Sequence, residues 1–334
     1  MIRKTVALLL LLPALAWADY ASVILADSPK YYWHLGETSG TTATNSGSTS
    51  TLGDGTYHGT VSLNQAGIPG YSATNGSVGL DGSTAYVSAA DTGGSLGPPA
   101  GGNNATWSAE AWIYPTADAT TMYLTGGTAT VFGYNMYRRV TTLAIGGTIF
   151  SSASSCGGSG YAASGDVGSA PNNAWTYVAM TSHNSGSAVM DRYTFYGNAV
   201  QLAQVTSFSG TYCQVSSYDA INIGRRATNN FYITGRIDEV AIYQSNTSSA
   251  ELGQARITAH YLCGITPGCA VGAGLPYIVK RPELPAFRDG NYFDYFVSRG
   301  YHTGDFSIRE HRPQYLNVGF VPFTIVPLGN TAKR

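Results

Sequence analysis

Gly235-Arg236-Ile237-Asp238-Glu239-Val240-Ala241-Ile242-Tyr243 is the stretch on which the reading of this chain turns. Ile237, Val240, Ile242 and Tyr243 supply apolar side chains, and two acids sit inside an otherwise strand-like run. From Asp238 onward the order is charged, charged, apolar, small, apolar, aromatic: a strand whose first residues meet water and whose later ones enter a core. Gly235 provides a tight bend before it. The cluster Ser245 to Ser249 ends it, and Ser249-Ala250-Glu251-Leu252 opens a short helix. An acidic pair in a sheet is costly unless water, donors or a cation compensate it. Two readings follow: a pair of solvated carboxylates at a strand mouth, or part of a Ca²⁺ site.

Working outward, the same texture recurs. Tyr20 to His260 consists of short apolar-alternating runs separated by Gly, Ser, Asn and Thr, such as Thr128–Phe132, Thr142–Ile145 and Tyr193–Tyr196. Gly197-Asn198 after the last of these is a hairpin-turn dipeptide. Many short strands at fairly regular spacing predict an antiparallel sandwich. One helix is expected, over Ser249 to His260, with Leu252, Ala255, Ile257 and Ala259 on its apolar face. Trp33, Trp107, Trp112 and Trp175 fall within strand patterns and are expected in the core.

Several of these stretches together resemble a known family. They are Tyr32-Trp33-His34-Leu35-Gly36-Glu37, Val78-Gly79-Leu80-Asp81-Gly82 with Ala85-Tyr86-Val87, and Trp107-Ser108-Ala109-Glu110-Ala111-Trp112-Ile113. Trp175-Thr176-Tyr177-Val178-Ala179, Ile221-Asn222-Ile223-Gly224 and the stretch from Gly235 complete the set. In order and spacing they resemble the laminin G-like branch of the concanavalin A-like jelly rolls over about residues 20–262. The resemblance implies an all-β antiparallel jelly-roll sandwich, followed here by a C-terminal extension of little regular structure. Related proteins often carry a structural or ligand-bridging Ca²⁺, and jelly rolls often set the first and last strands side by side. On that ground Glu37 and Asp238 are the candidate Ca²⁺ ligands, a hard cation needing several oxygens. Asp81 is expected to cap its own Asp-Gly turn.

The chain's ends differ from its middle. Residues 1–18 read as an export signal: Arg3 and Lys4, an apolar core from Val6 to Ala14, and Ala16-Trp17-Ala18 before Asp19. The apolar run is short for a bilayer and no later stretch is longer, so no membrane span is expected after cleavage. Only 11% of residues are charged, with 41 Gly and 24 Tyr, which suits a β-rich extracellular protein and opposes a helical cytosolic one. The expected organisation is a signal at 1–18, a jelly-roll domain at 19–262, a disulfide loop and joint at 263–274, and a basic aromatic segment at 275–334. Residues 19–270 carry a net charge of −6 and residues 271–334 a net of +3. Eleven aromatics and six prolines lie within residues 275–334, which leaves three readings: a segment that wraps the sandwich, one that orders only against a partner, or a disordered tail. Four cysteines in an exported chain point to two disulfides. The Gly/Pro loop between Cys263 and Cys269 favours their closure and leaves Cys156 with Cys213, among three possible connectivities.

Glycan binding is the second candidate chemistry. Sugar rings pack on aromatic faces while amides and guanidinium groups bond their hydroxyls. Tyr134-Asn135-Met136-Tyr137-Arg138-Arg139 and Arg225-Arg226-Ala227-Thr228-Asn229-Asn230-Phe231-Tyr232 carry that mixture. Tyr134, Asn135, Tyr137, Arg138, Arg225, Arg226, Asn229, Asn230 and Tyr232 are therefore the candidate ligand-binding residues. Catalysis is not expected: Asp238 and Glu239 are adjacent and point to opposite faces, unlike the alternating acids of jelly-roll glucanases. There is no Gly-x-Ser-x-Gly elbow, and the six His fall in no metal or triad pattern. The sequence reading is thus a secreted, non-catalytic binding or adhesion protein for a glycan or an extracellular protein. The other reading is a structural subunit of an extracellular assembly, self-associating through residues 275–334. Nucleic acid is not an expected partner.

Overall fold

In a computed structural model the described residues are 19–70, 76–90, 106–117, 121–126, 132–140, 142–151, 160–183, 192–206, 209–210, 220–226, 231–245, 251–267, 277–278 and 296–297. The chain opens with helix α1 (Tyr20–Ala26) and strand β1 (Tyr31–Trp33). There follow β2 (Thr42–Ala43), β3 (Gly55–His58), β4 (Ser62–Ala66), β5 (Gly76–Asp81) and β6 (Tyr86–Ala90). The middle comprises β7 (Thr106–Pro115), β8 (Thr121–Gly126), β9 (Phe132–Arg138), β10 (Ile145–Ser151) and β11 (Gly160–Ala163). The last part of the sandwich is β12 (Thr176–His183), β13 (Arg192–Gly197), β14 (Val200–Val205), β15 (Ser209–Gly210), β16 (Ala220–Ile223) and β17 (Thr234–Ser245). Helix α2 (Gln254–Ile265) follows, and a two-stranded ladder, β18 (Tyr277–Ile278) with β19 (Phe296–Val297), lies in the C-terminal segment.

Two antiparallel sheets form the body. The first runs β14-β13-β12-β7-β17-β5-β4, with β1 also paired to β17; the second runs β15-β11-β10-β9-β8-β16-β6-β3-β2. Strand β1 lies beside β17, Tyr31 opposite Ile242 and Trp33 opposite Val240, so the first and last strands do meet. Alternation does the rest. On β7, Trp107, Ala109, Ala111 and Ile113 enter the core between the sheets. Trp112 faces the other way, into a second apolar layer with Tyr32, Tyr177 and Tyr243. Residues of α1 and α2, among them Tyr20, Val23, Ile24 and Ile257, close that layer. The molecule is therefore helices on sheet on sheet.

The helices differ from the sequence reading in an instructive way. Helix α1 was not legible: seven residues rich in β-branched and aromatic side chains carry little helical propensity. It holds because the Asp19 carboxylate accepts from Ser22 N at 2.9 Å and because one face packs on Trp112. Helix α2 begins at Gln254, later than the expected Ser249, and continues through Cys263 to Ile265, past the expected domain boundary at 262. Strand β10 begins only at Ile145, because Leu143 adopts a φ of 55°. The β13–β14 hairpin turns on Asn198 and Ala199, both with positive φ, one residue beyond the expected Gly197-Asn198. Trp33, Trp107 and Trp112 are buried as expected; Trp175 is only half-buried, beside Tyr114.

Asp238 and Glu239 overturn the solvated reading. Both are fully buried. Between Asp238, opposite Trp112, and Ala241, opposite Glu110, β17 uses one more residue than β7, a β-bulge with Glu239 at a φ of 53°. The bulge breaks strict alternation and turns the Glu239 carboxylate to the Tyr32 hydroxyl, which donates to Oε2, and to His34 Nδ1 at 3.4 Å. Gly235 makes the bend before it: its φ is 146°, and a Cβ there would stand 2.2 Å from Tyr114 O.

Candidate functional site

The outer face of the second sheet gathers both of the loops singled out for glycan binding. Register alone builds a row across it. Thr42 opposes Thr56, Thr56 opposes Ser88, and Ser88 opposes Asn222. Asn222 opposes Thr125, Thr125 opposes Asn135, and Asn135 opposes Thr148. The residues flanking them, Tyr57, Val87, Ile221, Ile223, Tyr134 and Met136, belong to the core between the sheets, so the row lies on the face away from it. The row spans seven strands, about 29 Å at about 4.8 Å per step; Thr42 and Thr56 are exposed, Ser88 and Thr148 half-buried, and Asn222 and Asn135 buried. Asn135 Nδ2 donates to Thr148 Oγ1 at 3.2 Å, while its buried Oδ1 has no donor.

An aromatic and cationic cluster stands beside this row. His58 and Tyr86, cross-strand partners, stack with ring centroids 4.4 Å apart. The Arg225 guanidinium lies over the Tyr86 ring at 3.4 Å, from the strand on the other side of β6. Arg225 Nε donates to Asn222 Oδ1 at 3.1 Å and Nη1 approaches the Tyr232 hydroxyl at 3.5 Å. His58 Nε2 lies 2.8 Å from Ser88 Oγ. Burial, and after it the charge of Arg225, lower the His58 pKa from the ordinary histidine value. His58, Tyr86, Ser88, Arg225 and Tyr232 are all half-buried, so their polar edges meet solvent. Tyr86 is thus sandwiched between His58 and Arg225, and the arrangement presents the rim of that stack to a polar ligand: a fixed cation, an imidazole and the hydroxyls of Ser88 and Tyr232.

The candidate residues divide accordingly. Asn135, Arg225 and Tyr232 belong to this face. Arg226 lies beside it, its buried Nε without an acceptor. Asn229 and Asn230 lie outside the described residues. Tyr134 does not belong: it turns inward and stacks on Trp107 at 4.6 Å. Arg138 does not either, because it is fully buried. Its Nε donates to Ala170 O at 2.7 Å, Nη1 to Ala117 O at 3.2 Å and Nη2 to Asn172 Oδ1 at 2.7 Å, so it ties two loops together. Tyr137 is spent on Gly165 O and the Asp166 carboxylate, burial first and that acid second pushing its pKa up to about 12. His58, Tyr86, Ser88 and Asn222 were missed. Their signal was the alternation itself, since Tyr86 and Asn222 fall between core residues.

Glu37 and Asp238 do not fit a Ca²⁺ site. Glu37 Oε1 accepts from Thr44 N at 2.7 Å and Oε2 from the Tyr57 hydroxyl at 2.5 Å, so the carboxylate is held by donors of its own neighbourhood. Asp238 Oδ2 accepts from Ile68 N at 2.9 Å, and Oδ1 is buried without a donor. Burial, and then Glu239, hold the Asp238 carboxyl well above the usual carboxylate range, which favours its neutral form. Among the described residues no three His, Cys, Asp or Glu side chains form a metal-holding group. Asp81 caps its turn as expected, accepting from the backbone of Ser83, Thr84 and Ala85. Cys263 is disulfide-bonded. Cys156, Cys213 and Cys269 lie outside the described residues, and so does the partner.

The remaining buried acid, Glu110, sits under the helices on the first sheet. Tyr177 donates to Oε2 and Tyr243 to Oε1, and His260 Nδ1 lies 2.9 Å from Oε2. His260 Nε2 in turn reaches Asp27 Oδ2 at 2.8 Å, where Arg256 also donates at 2.6 Å. Burial works against a charged His260, but Glu110 and Asp27 outweigh it and raise its pKa to about 9.

A laminin G family model, described as the concanavalin A-like lectin/glucanases superfamily, matches residues 81–253. The chain belongs to this family. Among solved structures, domain 4 of an extracellular GH43 arabinanase from Geobacillus stearothermophilus, in complex with arabinotriose, superposes with a TM-score of 0.47. It is 15% identical and the match covers 70% of this chain and 98% of that one. The binding domain of botulinum neurotoxin serotype D gives 0.49 at 13% identity over 72% and 52% of the two chains. Trypanosoma rangeli sialidase in complex with DANA gives 0.42 at 12% identity over 70% and 32%. No curated protein matches this concanavalin A-like chain. Among the described residues no helix is long and apolar enough to cross a membrane.

Proposed function

We propose that this laminin G-like chain is a secreted, non-catalytic binding protein that recognises a saccharide on the outer face of its second sheet. The observation that carries this reading is the register row from Thr42 to Thr148, flanked by the His58–Tyr86–Arg225 stack. A sugar offers hydroxyls in a plane and C–H faces above and below it. Thr42 and Thr56, exposed, and Ser88, half-buried, offer partners to those hydroxyls beside the solvent-facing rim of the His58–Tyr86–Arg225 stack. Two cross-strand steps separate the exposed Thr42 from the half-buried Ser88, about 10 Å, the reach of one or two sugar rings.

The non-catalytic part of the proposal rests on where the acids are. A glycosidase needs two carboxyl groups open to the substrate on either side of the scissile bond. Glu110, Asp238 and Glu239 are buried in the first sheet, and tyrosine, histidine or backbone donors hold them. Export through residues 1–18, with cleavage before Asp19, belongs to the same proposal. A glycan array probed with the chain from Asp19 onward tests it, alongside Tyr86→Ala and Ser88→Ala. Binding that both substitutions abolish supports the face. Binding that survives both refutes it.

A further inference from the structure

We infer that Arg225, held on Tyr86 beside His58, receives an anionic group, a carboxylate or a sulfate, carried by the saccharide; this rests on the binding reading above. Arg139 bonds Asp166, Arg192 bonds Glu251 and Arg256 bonds Asp27. Arg138 fills its fork with three oxygen acceptors. Arg225 does neither. Among the described residues it has no carboxylate partner, and its Nη2 has no acceptor. Its neighbour Arg226 also lacks an acid among the described residues, and the buried Arg226 Nε lacks any acceptor. Residues 19–270 carry a net charge of −6, so acids to neutralise these two cations are not scarce. The nearest along β5–β6, Asp81, is spent on four donors of its own turn.

Arg225 is also positioned. Nε on Asn222 Oδ1 and the ring of Tyr86 at 3.4 Å fix the plane of the guanidinium, and Tyr232 meets Nη1 at its edge. A planar fork held in advance loses little freedom when it binds, and it matches the paired oxygens of a carboxylate or sulfate. His58, stacked on the same tyrosine, lies within the field of Arg225. An anion placed there removes the repulsion between the two and adds an acceptor for both. Arg236 is the natural control. It also stacks on an aromatic, Tyr114 at 3.8 Å, but it sits on the first sheet and donates to Ala66 O.

The test uses matched pairs that differ only in charge: oligogalacturonate against its methyl ester, and sulfated dextran against dextran oligosaccharide. Calorimetric affinities are measured for wild type, Arg225→Gln and Arg236→Gln. The inference predicts at least tenfold tighter binding of the charged member of one pair, lost in Arg225→Gln and kept in Arg236→Gln. It also predicts that the preference weakens as salt rises. Equal binding of charged and neutral members, abolished by Tyr86→Ala, keeps the saccharide reading and overturns the anion. If no saccharide binds, the saccharide reading falls, and an NMR titration of His58 with inorganic sulfate decides the anion alone. A rise of the His58 pKa towards the ordinary value of about 6.5 sustains it. An unmoved His58 together with no charge preference overturns it.

Discussion

His260 should make this protein measurably less stable in mild alkali. It is fully buried on α2, with Nδ1 on Glu110 of β7 and Nε2 on Asp27 at the end of α1, so one imidazolium ties both helices to the sheet. Its pKa in the folded chain is raised to about 9, while an unfolded histidine titrates near 6.5. A folded pKa above the unfolded one gives stability that is fully present below the unfolded value and lost as pH climbs through the folded one. A difference of about 2.5 units at 1.36 kcal/mol each is about 3 kcal/mol. The group is fully buried, so solvent screening takes little from it. Urea denaturation at several pH values from 6 to 9.5 should therefore lose about 3 kcal/mol across that window. His34, whose pKa is also raised, contributes with the same sign, so the comparison is with His260→Gln. That variant should be weaker at pH 6, since it leaves Glu110 and Asp27 short of a donor, and should lose most of the slope. If it does not fold, the wild-type His260 titration by NMR serves instead. A wild-type stability that is flat from pH 6 to 9.5, or a His260 pKa near 6.5, would refute the reasoning.

Other outcomes follow from particular contacts. Gly264→Ala should destabilise by about 1–3 kcal/mol, because the new Cβ would lie 2.1 Å from Trp112 Cζ2, in the layer between α2 and the sheet; an unchanged urea midpoint would contradict it. Non-reducing peptide mapping should join Cys263 to Cys269 and Cys156 to Cys213, and Cys263→Ser should cost about 2–4 kcal/mol. A different pairing would sink that assignment. Millimolar Ca²⁺ should leave the melting temperature unmoved, because Asp238 is buried with its carboxyl favoured neutral and no three acids or histidines gather among the described residues. A dose-dependent rise would show a ligand of the folded state at work.

Much of the fold was legible because strand alternation and turn chemistry act locally. Trp107, Ala109, Ala111 and Ile113 face one way and Trp112 the other, as period-two patterning requires. The side-by-side placement of β1 and β17 came from the family resemblance and holds in the pairing of Trp33 with Val240. The helix layer was hidden, because α1 is stabilised by tertiary packing on Trp112 and by a single cap rather than by propensity. Burial of Asp238 and Glu239 was hidden too. A bulge has no composition signal when its extra residue is a glutamate at positive φ, and its donors, Tyr32 and His34, are two hundred residues away. At the candidate site, composition alone nominated Arg225 and Tyr232 but equally Arg138 and Tyr134, which serve structure. Only register separates them, since it puts Asn222 and Asn135 in one row and turns Tyr134 inward.

The outer face of the second sheet is the proposed binding face. The sharpest test compares two clusters of aromatic rings and arginine on opposite sides of the sandwich: Tyr86 with His58 and Arg225 on the second sheet, and Trp175 with Tyr114 and Arg236 on the first. Affinity for the strongest array ligand is measured in Tyr86→Ala and in Trp175→Ala, each checked for an unchanged fold by circular dichroism. The account predicts that Tyr86→Ala loses at least tenfold in affinity, worth about 1.4 kcal/mol or more, while Trp175→Ala binds as the wild type does. Loss of binding in Trp175→Ala with Tyr86→Ala unaffected would put the site on the other sheet and contradict it.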